Sequence, residues 1–338
     1  MRDAAARGGA LLPRERLEPA VLAWTRGRRR DETWGVGFSG GADSLALLLV
    51  LRAHWPDRRR QLLALHFNHG LRGAAARADA DACRRWCRAL GIRFRSGRWR
   101  PPAGGASEAA ARAARLTFFA RHARIVWLGQ QADDVAEGML MRLARGSGTA
   151  GLAAPRPVQR FRDGRRFLRP LLSVRAVELR RLLRAAGVPW REDASNATGR
   201  YFRNRLRHQV LPRWEQAAGR DAVAGATLSR QLLDEDDAAL TQWLDALQPL
   251  RRDGCLDLAR LAGQPAALWR RALHRWLARH PAAGEPSRQA FAALLAALQR
   301  GGAWRQSLGR AGFAVSDGRV LSYAVPLRQG GKKRRRAR

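Results

Sequence analysis

Trp34-Gly-Val-Gly-Phe38-Ser39-Gly40-Gly41-Ala42-Asp43-Ser44-Leu45-Ala-Leu-Leu-Leu-Val-Leu51 decides how the rest of the chain is read. A short apolar run, a glycine pair and a second apolar run predict a buried strand, a tight turn and a buried helix. That order gathers free backbone N–H groups around an anion at the start of the helix. Gly40 and Gly41 let the backbone approach a phosphate closely and take positive φ where needed. Ser39 and Ser44 add hydroxyl donors, and Asp43 is suited to hold a magnesium ion or orient a phosphate-bound group. The plainer reading is an ordinary turn ahead of a core helix.

Working outward, strands are expected at Trp34–Phe38, Leu62–Phe67, Ile92–Arg95 and Ile125–Leu128. Helices are expected at Ser44–Arg52, Ala74–Leu90 and Ser107–His122. The alternation predicts an α/β fold with a doubly wound parallel sheet and a ligand at the carboxyl ends of its strands. Residues 1–30 read as a polar lead-in with a short helix around Leu17–Thr25, and residues 31–212 as the phosphate-loop domain. The glycine-rich Arg145-Gly-Ser-Gly-Thr-Ala-Gly151 precedes a basic stretch, Arg156–Arg169, and a helix over Val174–Ala186. Residues 213–326 read as a helical domain, with helices at Asp221–Leu247, Leu256–His280 and Ser287–Arg300. It ends in a small β-hairpin around Asp317-Gly318, and residues 327–338 form a basic tail expected to be disordered.

The chain of 338 residues carries 64 Lys+Arg against 28 Asp+Glu, a net charge of +36. A polyanionic partner, nucleic acid above all, is the simplest physical reason to tolerate that self-repulsion. Lys332 and Lys333 are its only lysines. A Walker-type, Schiff-base or general-base lysine in the body of the fold is thereby excluded, and any amine nucleophile has to arrive with a substrate. No run approaches 18 uninterrupted apolar residues, so no membrane partner is expected. Arg2, Asp3 and Arg7 without an apolar stretch do not read as a secretory signal. Cys83, Cys87 and Cys255 are an odd number with no C-x-x-C, which points away from disulfides and to the cytoplasm.

The phosphate-loop string resembles that of the PP-loop ATP pyrophosphatases, and further segments resemble one of their families, the tRNA(Ile)-lysidine synthases. His66-Phe-Asn-His-Gly-Leu-Arg72 is similar to that family's H-x-N-H-G-L-R. Glu108-Ala-Ala-Ala-Arg112-Ala-Ala-Arg115-Leu-Thr-Phe-Phe119 is similar to its E-x-x-A-R-x-x-R-Y-x-F-F, and Gln131-Ala-Asp133-Asp134-Val-Ala-Glu137 to its H-x-D-D-Q-x-E-T. Arg145–Leu152, Trp190–Asn196 and Arg203-Asn204-Arg-Leu-Arg207 resemble R-G-S-G-x-x-G-L, W-x-E-D-x-S-N and R-N-x-x-R. The resemblance runs from about residue 34 to 212. It implies ATP and magnesium as cofactors, free lysine as co-substrate and an isoleucine tRNA with a CAU anticodon as partner. ATP would adenylate the carbon-2 oxygen of the wobble cytidine, and the lysine ε-amine would displace AMP to give lysidine. On this resemblance Ser39, Gly40, Gly41, Ala42, Asp43, Ser44, His66 and Asn68 bind ATP. Asp43, Asp133, Asp134 and Glu137 are the catalytic set, with magnesium at Asp43. Arg112, Arg115, Arg203, Asn204 and Arg207 face the tRNA.

Residue chemistry stands beside that resemblance. Asp133 and Glu137 share a helix face at i, i+4, and three acids near a phosphate loop suit an incoming ammonium. The plainer role for such acids is helix capping and dipole compensation, about 0.3–1 kcal/mol each. His66 and His69 lack a third ligand and suit a nucleotide pocket or packing. Cys83 and Cys87 read as small buried hydrophobes, and Trp243, Trp269 and Trp276 as core. Gln131, Val135 and Gly138 depart from the family pattern, and the glutamine would keep a hydrogen bond while losing a titratable group. Two alternatives stay open: another PP-loop tRNA-modifying enzyme of the thiolase type, and a catalytically impaired tRNA-binding paralogue. A homodimer stays open beside a monomer.

Overall fold

A computed structural model describes residues 1–29, 31–68, 73–100, 107–192, 202–284, 286–309 and 312–325. His69, Arg72, Asp193, Asn196 and the basic tail lie outside these described residues. The chain divides into two units, Met1–Asp234 and Glu235–Arg338.

In the first unit the elements run α1 (Arg2–Leu11), α2 (Pro19–Thr25), β1 (Trp34–Gly37), α3 (Ala42–His54), β2 (Leu62–Asn68), α4 (Gly73–Leu90) and β3 (Arg93–Arg98). They continue as α5 (Glu108–His122), β4 (Ile125–Trp127), α6 (Ala132–Leu143), α7 (Thr149–Leu152), β5 (Val158–Arg160), β6 (Arg166–Leu168) and α8 (Ala176–Ala185). α9 (Phe202–Arg205), a π-turn at Leu206–Val210, α10 (Leu211–Ala218) and α11 (Ala222–Leu247) follow. The sheet has six strands in the order β3-β2-β1-β4-β6-β5, with only the edge strand β5 antiparallel.

Side-chain alternation explains why both faces are covered. Trp34 and Val36 of β1, with Leu62, Ala64, Ile125, Trp127 and Leu168, join one core with α3 and Leu179, Leu182 and Leu183 of α8. Leu63, Leu65, Val126 and Phe167 point the other way and meet Phe119 of α5. That period-2 split is what a doubly wound sheet requires. Ser44–Leu51 of α3 are buried without a break, so this helix is apolar all round and sits inside the core. Under β1 and β4, Trp34 and Trp127 pack with ring centroids 4.8 Å apart, flanked by Trp24 and Trp55.

Three sequence expectations are corrected here. Residues 2–11 are no lead-in: α1 buries Ala4 and Ala5 in the main core, and Arg7 Nη2 donates to Ala186 O at 3.0 Å. The basic stretch Arg156–Arg169 contains β5 and β6, and β6 pairs directly with β4 inside the sheet. Phe167 and Leu168 supply its buried surface between arginines. The expected division after residue 212 lies within α10, inside the first unit. Beyond it, Val223 and Ala226 of α11 still pack against Ala132, Ala136, Met139 and Leu211.

The second unit holds the rest of α11, β7 (Leu256–Asp257), α12 (Ala266–Arg279), α13 (Arg288–Arg300), β8 (Ala303–Ser307), β9 (Phe313–Asp317) and β10 (Val320–Ala324). Its antiparallel sheet has the order β7-β10-β9-β8, with the expected turn at Asp317-Gly318. The single helix expected over Leu256–His280 is instead a short strand, a 3-10 turn at Ala259–Leu261 and α12, because Pro265 restarts the helix as its N-cap. Trp276 is fully buried and Trp269 packs beside it, but Trp243 is 46% exposed and is not core. Among the described residues no helix is long and apolar enough to cross a membrane.

Candidate active site

The phosphate loop closes on its own serines. Phe38 N donates to Leu65 O at 3.0 Å, keeping the chain extended to the end of β1. Gly40 then takes φ +87°, a conformation that glycine adopts without strain. Ser44 Oγ donates to Gly41 O at 3.0 Å and accepts from Ser39 N at 3.2 Å. Ser39 Oγ accepts from Gly41 N at 3.3 Å and lies 3.0 Å from Ser44 Oγ. No side chain caps α3, so its first-turn N–H groups face outward for an anion. The loop is also held from above: Arg191 N donates to Gly40 O at 3.0 Å, and Arg191 Nε donates to Asp79 Oδ1 at 2.7 Å.

The acids reach this loop because β4 lies beside β1, where the strand order reverses. A Cβ on Gly129 would stand 2.9 Å from Asp43 O and 3.2 Å from Ser44 Cα. Only glycine allows that close backbone approach between the β4–α6 connection and the first turn of α3. Asp43 consequently sits near Asp134 and Asp133. Burial first, then the Asp134 charge, push its carboxyl up to about 7, against Arg207 and Arg180.

On α6 the acids divide. Gln131 is the N-cap: its Oε1 accepts from Asp134 N at 3.4 Å and from Asp133 N, while its own N donates to Asp134 Oδ2 at 3.1 Å. This reciprocal capping box orients Asp134 inward. Asp134 Oδ1 accepts from Arg203 Nη2 at 2.6 Å and Arg207 Nη2 at 3.3 Å. Glu137, 0% exposed, accepts from Arg203 Nε and Arg207 Nε, each at 2.6 Å. Burial pushes the Asp134 carboxyl above its usual range, and Arg203 opposes that shift. Asp133 leaves this group. Its Oδ2 accepts from Ala176 N at 2.8 Å, at the start of α8, and Oδ1 lies 3.5 Å from Arg175 Nη2. The face shared by position is therefore Asp134 with Glu137 at i, i+3, and not Asp133 with Glu137.

The other expected residues are placed as follows. His66 Nδ1 lies 3.0 Å from Phe38 O, so this buried ring braces β2 against the end of β1. Asn68 ends β2, and its carbonyl accepts from Trp99 N at 2.8 Å. On α5, Arg112 is exposed and Arg115 half-buried. Asn204 lies on α9 between Arg203 and the π-turn that carries Arg207. Arg203 and Arg207, expected to face RNA, are engaged with Asp134 and Glu137. Spacing along the chain did not single out Gly129, Arg191 or Asp79. The only local signal for Gly129 is a glycine between an apolar run and the acids. Burial pushes the Cys83 thiol up to about 12, with the Asp79 charge adding to it, and raises Cys87 in the same way. Both are inert thiols and not metal-binding thiolates. Among the described residues no group of three metal-ligating side chains occurs.

A phosphate loop at the end of β1, acids at the end of β4 and a sheet reversal between them define a nucleotide-binding α/β domain of the ATP pyrophosphatase type. Residues 15–214 match the PP-loop domain family, and the chain belongs to it. It is similar to the tRNA(Ile)-lysidine synthase of Pseudomonas syringae pv. tomato, 41% identical over 78% of this chain and 60% of that protein. The enzyme of that name from Pseudomonas aeruginosa is 38% identical over 78% of this chain and 61% of its own length. The chain thus spans about three-fifths of the length of these relatives. Among solved structures, the U34-tRNA thiolase NcsA from Methanococcus maripaludis aligns with a TM-score of 0.49 and 18% identity, over 64% of this chain and 77% of that one.

Proposed function

We propose that this protein ligates free lysine to carbon 2 of the wobble cytidine in the CAU anticodon of an isoleucine tRNA, at the expense of ATP. The observation that carries the reading is the meeting of Asp43 and Asp134 at an uncapped phosphate loop, with Glu137 tied to Asp134 through Arg203 and Arg207. In this reading the loop from Ser39 to Ser44 grips the pyrophosphate end of ATP. The cytidine oxygen attacks the α-phosphorus and pyrophosphate leaves. The lysine amine then attacks carbon 2, AMP leaves, and the amine proton passes to a carboxylate of the crevice. Asp134 suits that role, since Gln131 and two arginines fix its position beside Asp43.

Asp43 fits a magnesium ion on an observation of its own. A carboxylate pushed up to about 7 by burial and by neighbouring acids gains most from a divalent cation. When bound, magnesium would neutralise phosphate oxygens, with Asp43 as its protein oxygen. Asp133 serves position, through the start of α8. Gln131 supports an active enzyme in place of an impaired paralogue: it acts on the backbone of α6, a task a glutamine performs without titrating. Against a thiolase stand the buried, protonated Cys83 and Cys87.

The test is direct. Protein, ATP, magnesium and radiolabelled lysine are incubated with an isoleucine tRNA bearing CAU, and label should enter the RNA. Methionine tRNA, which shares the three bases, should stay nearly unlabelled. Nucleotide binding without label in either RNA would refute the ligase.

A further inference from the structure

Arg191 reaches the phosphate loop because of how α8 ends. Gly187 takes φ +69°, its N donates to Arg184 O and Val188 N donates to Leu183 O, each at 2.9 Å. This left-handed cap turns the chain, buries Val188 and seats Trp190 against the main core. The Arg184 guanidinium lies over the Trp190 ring, 5.7 Å from its centroid, and steadies that seat. The next residue is laid along both loop glycines. Besides the bond from Arg191 N to Gly40 O, Arg191 Cγ lies 3.8 Å from the place of a Cβ on Gly40, and Arg191 O lies 3.9 Å from that on Gly41. The same Cβ on Gly40 would stand 2.8 Å from Cys83 Sγ and 3.5 Å from the Trp86 ring, both on α4. Gly40 therefore meets α4 and the strap of residues 190 and 191 together. Asp79, one helical turn before Cys83, closes the frame by accepting from Arg191 Nε at 2.7 Å. The Asp79 side chain is only 12% exposed, and that of Arg191 is 48% exposed. A carboxylate placed so near an anion-binding loop opposes its charge, which calls for another reason to be there.

We infer that Asp79 and Arg191 are a positioning pair for the pyrophosphate end of ATP: the carboxylate holds the arginine, and the arginine's backbone holds the Gly40–Gly41 peptide in the orientation phosphate needs. In a trans peptide the carbonyl and the N–H point opposite ways. With Gly40 O drawn to Arg191 N, Gly41 N is turned to the Ser39 Oγ side, at 3.3 Å. A peptide between two glycines rotates with little resistance, and once flipped it would aim a carbonyl oxygen at the anion. The strap removes that freedom before the nucleotide arrives. Both residues act through Gly40 and neither grips phosphate. The inference rests on the ATP-binding part of the function proposed above, and on neither lysine nor tRNA.

Calorimetry on the full chain, without tRNA or lysine, measures pyrophosphate with magnesium and AMP as separate ligands. Arg191→Gln and Asp79→Asn should each weaken pyrophosphate about tenfold, the scale of one charge-assisted hydrogen bond, and leave AMP within about twofold. The sign for Asp79→Asn is decisive. Electrostatics alone predicts tighter anion binding when a nearby negative charge is removed, whereas a lost strap predicts weaker binding. The double variant should be no weaker than either single one, since both act through one contact. Arg191→Lys, which keeps a cation for Asp79, should recover most of the affinity. If Asp79→Asn does not fold, the half-exposed Arg191 carries the test through its glutamine and lysine variants. Pyrophosphate binding unchanged in Arg191→Gln, or unchanged or tighter in Asp79→Asn, would overturn the inference, and so would an equal loss of AMP. A protein that puts no lysine into RNA, but whose variants lose pyrophosphate as stated, refutes the ligase and leaves the positioning pair standing.

Discussion

Replacing Asp43 by Asn should make the protein more stable at neutral pH. The Asp43 carboxyl is raised from its ordinary 3.8 to about 7 in the fold, chiefly by burial and then by Asp134. Between pH 4 and 7 the unfolded chain has released this proton while the folded chain still holds it. The unfolded state then binds fewer protons, so stability falls as pH rises through that window and levels off above it. The move from 3.8 to about 7, at about 1.4 kcal/mol per pH unit, gives a ceiling of about 4 kcal/mol. Asn cannot ionise and matches the protonated acid in shape. Urea unfolding of both proteins without nucleotide or metal should give nearly equal stabilities at pH 4. At pH 8 Asp43→Asn should lead by roughly 2–4 kcal/mol. ATP cleavage by the same variant should fall more than about tenfold, at least ~1.4 kcal/mol of lost transition-state stabilisation. Parallel pH profiles for the two proteins would refute the claim that the crevice strains this carboxylate.

Other residues of the site give separable outcomes. Asp133→Ala should cost about 1 kcal/mol in thermal unfolding, as a lost helix-start acceptor does, yet keep ATP–pyrophosphate exchange within about threefold of the parent. An exchange rate as low as that of Asp134→Asn would place Asp133 back in the chemistry. Arg207→Met should destabilise by roughly 2–4 kcal/mol, because it strips a partner from the buried Glu137. Adding Glu137→Gln should recover part of that loss, and a simple sum of the two single effects in chemical unfolding would contradict the coupling. Gly129→Ala should lower both the unfolding midpoint and ATP affinity, since its methyl would stand 2.9 Å from Asp43 O. Unchanged nucleotide titrations would show that this contact relaxes freely.

The doubly wound sheet was legible because β1, β2, β4 and α3 are built on uninterrupted runs of apolar and glycine residues whose burial leaves little choice of partner. Arginine hid the rest. Phe167 and Leu168 make β6 a buried strand, but arginines on both sides mask a three-residue element. α1 is mostly Ala, Gly and Arg, with too little apolar surface to signal burial. In α11 the inner stripe is Leu240, Leu244 and Leu247, and Trp243 falls beside it. Local spacing placed the acids of α6 next to the phosphate loop in sequence logic. It could not tell that Arg203 and Arg207, 66 and 70 positions from Glu137, close onto that acid, since only the fold brings them together. The capping role of Gln131 was hidden for a different reason: a capping box normally starts with a small hydroxyl or acidic residue.

The indole cluster beneath the sheet makes the nucleotide domain report on itself optically. Trp34 and Trp127, 4.8 Å apart and 41° between planes, with Trp55 5.9 Å from Trp34, are close enough for their electronic transitions to mix. The near-ultraviolet dichroism of the chain should therefore carry a split band that separate tryptophans lack. Trp34 opens the strand that ends in the phosphate loop, so the band decays when that strand leaves β4. A light signal native to the chain thus reports the unfolding of the sheet that carries the phosphate loop, with no dye attached.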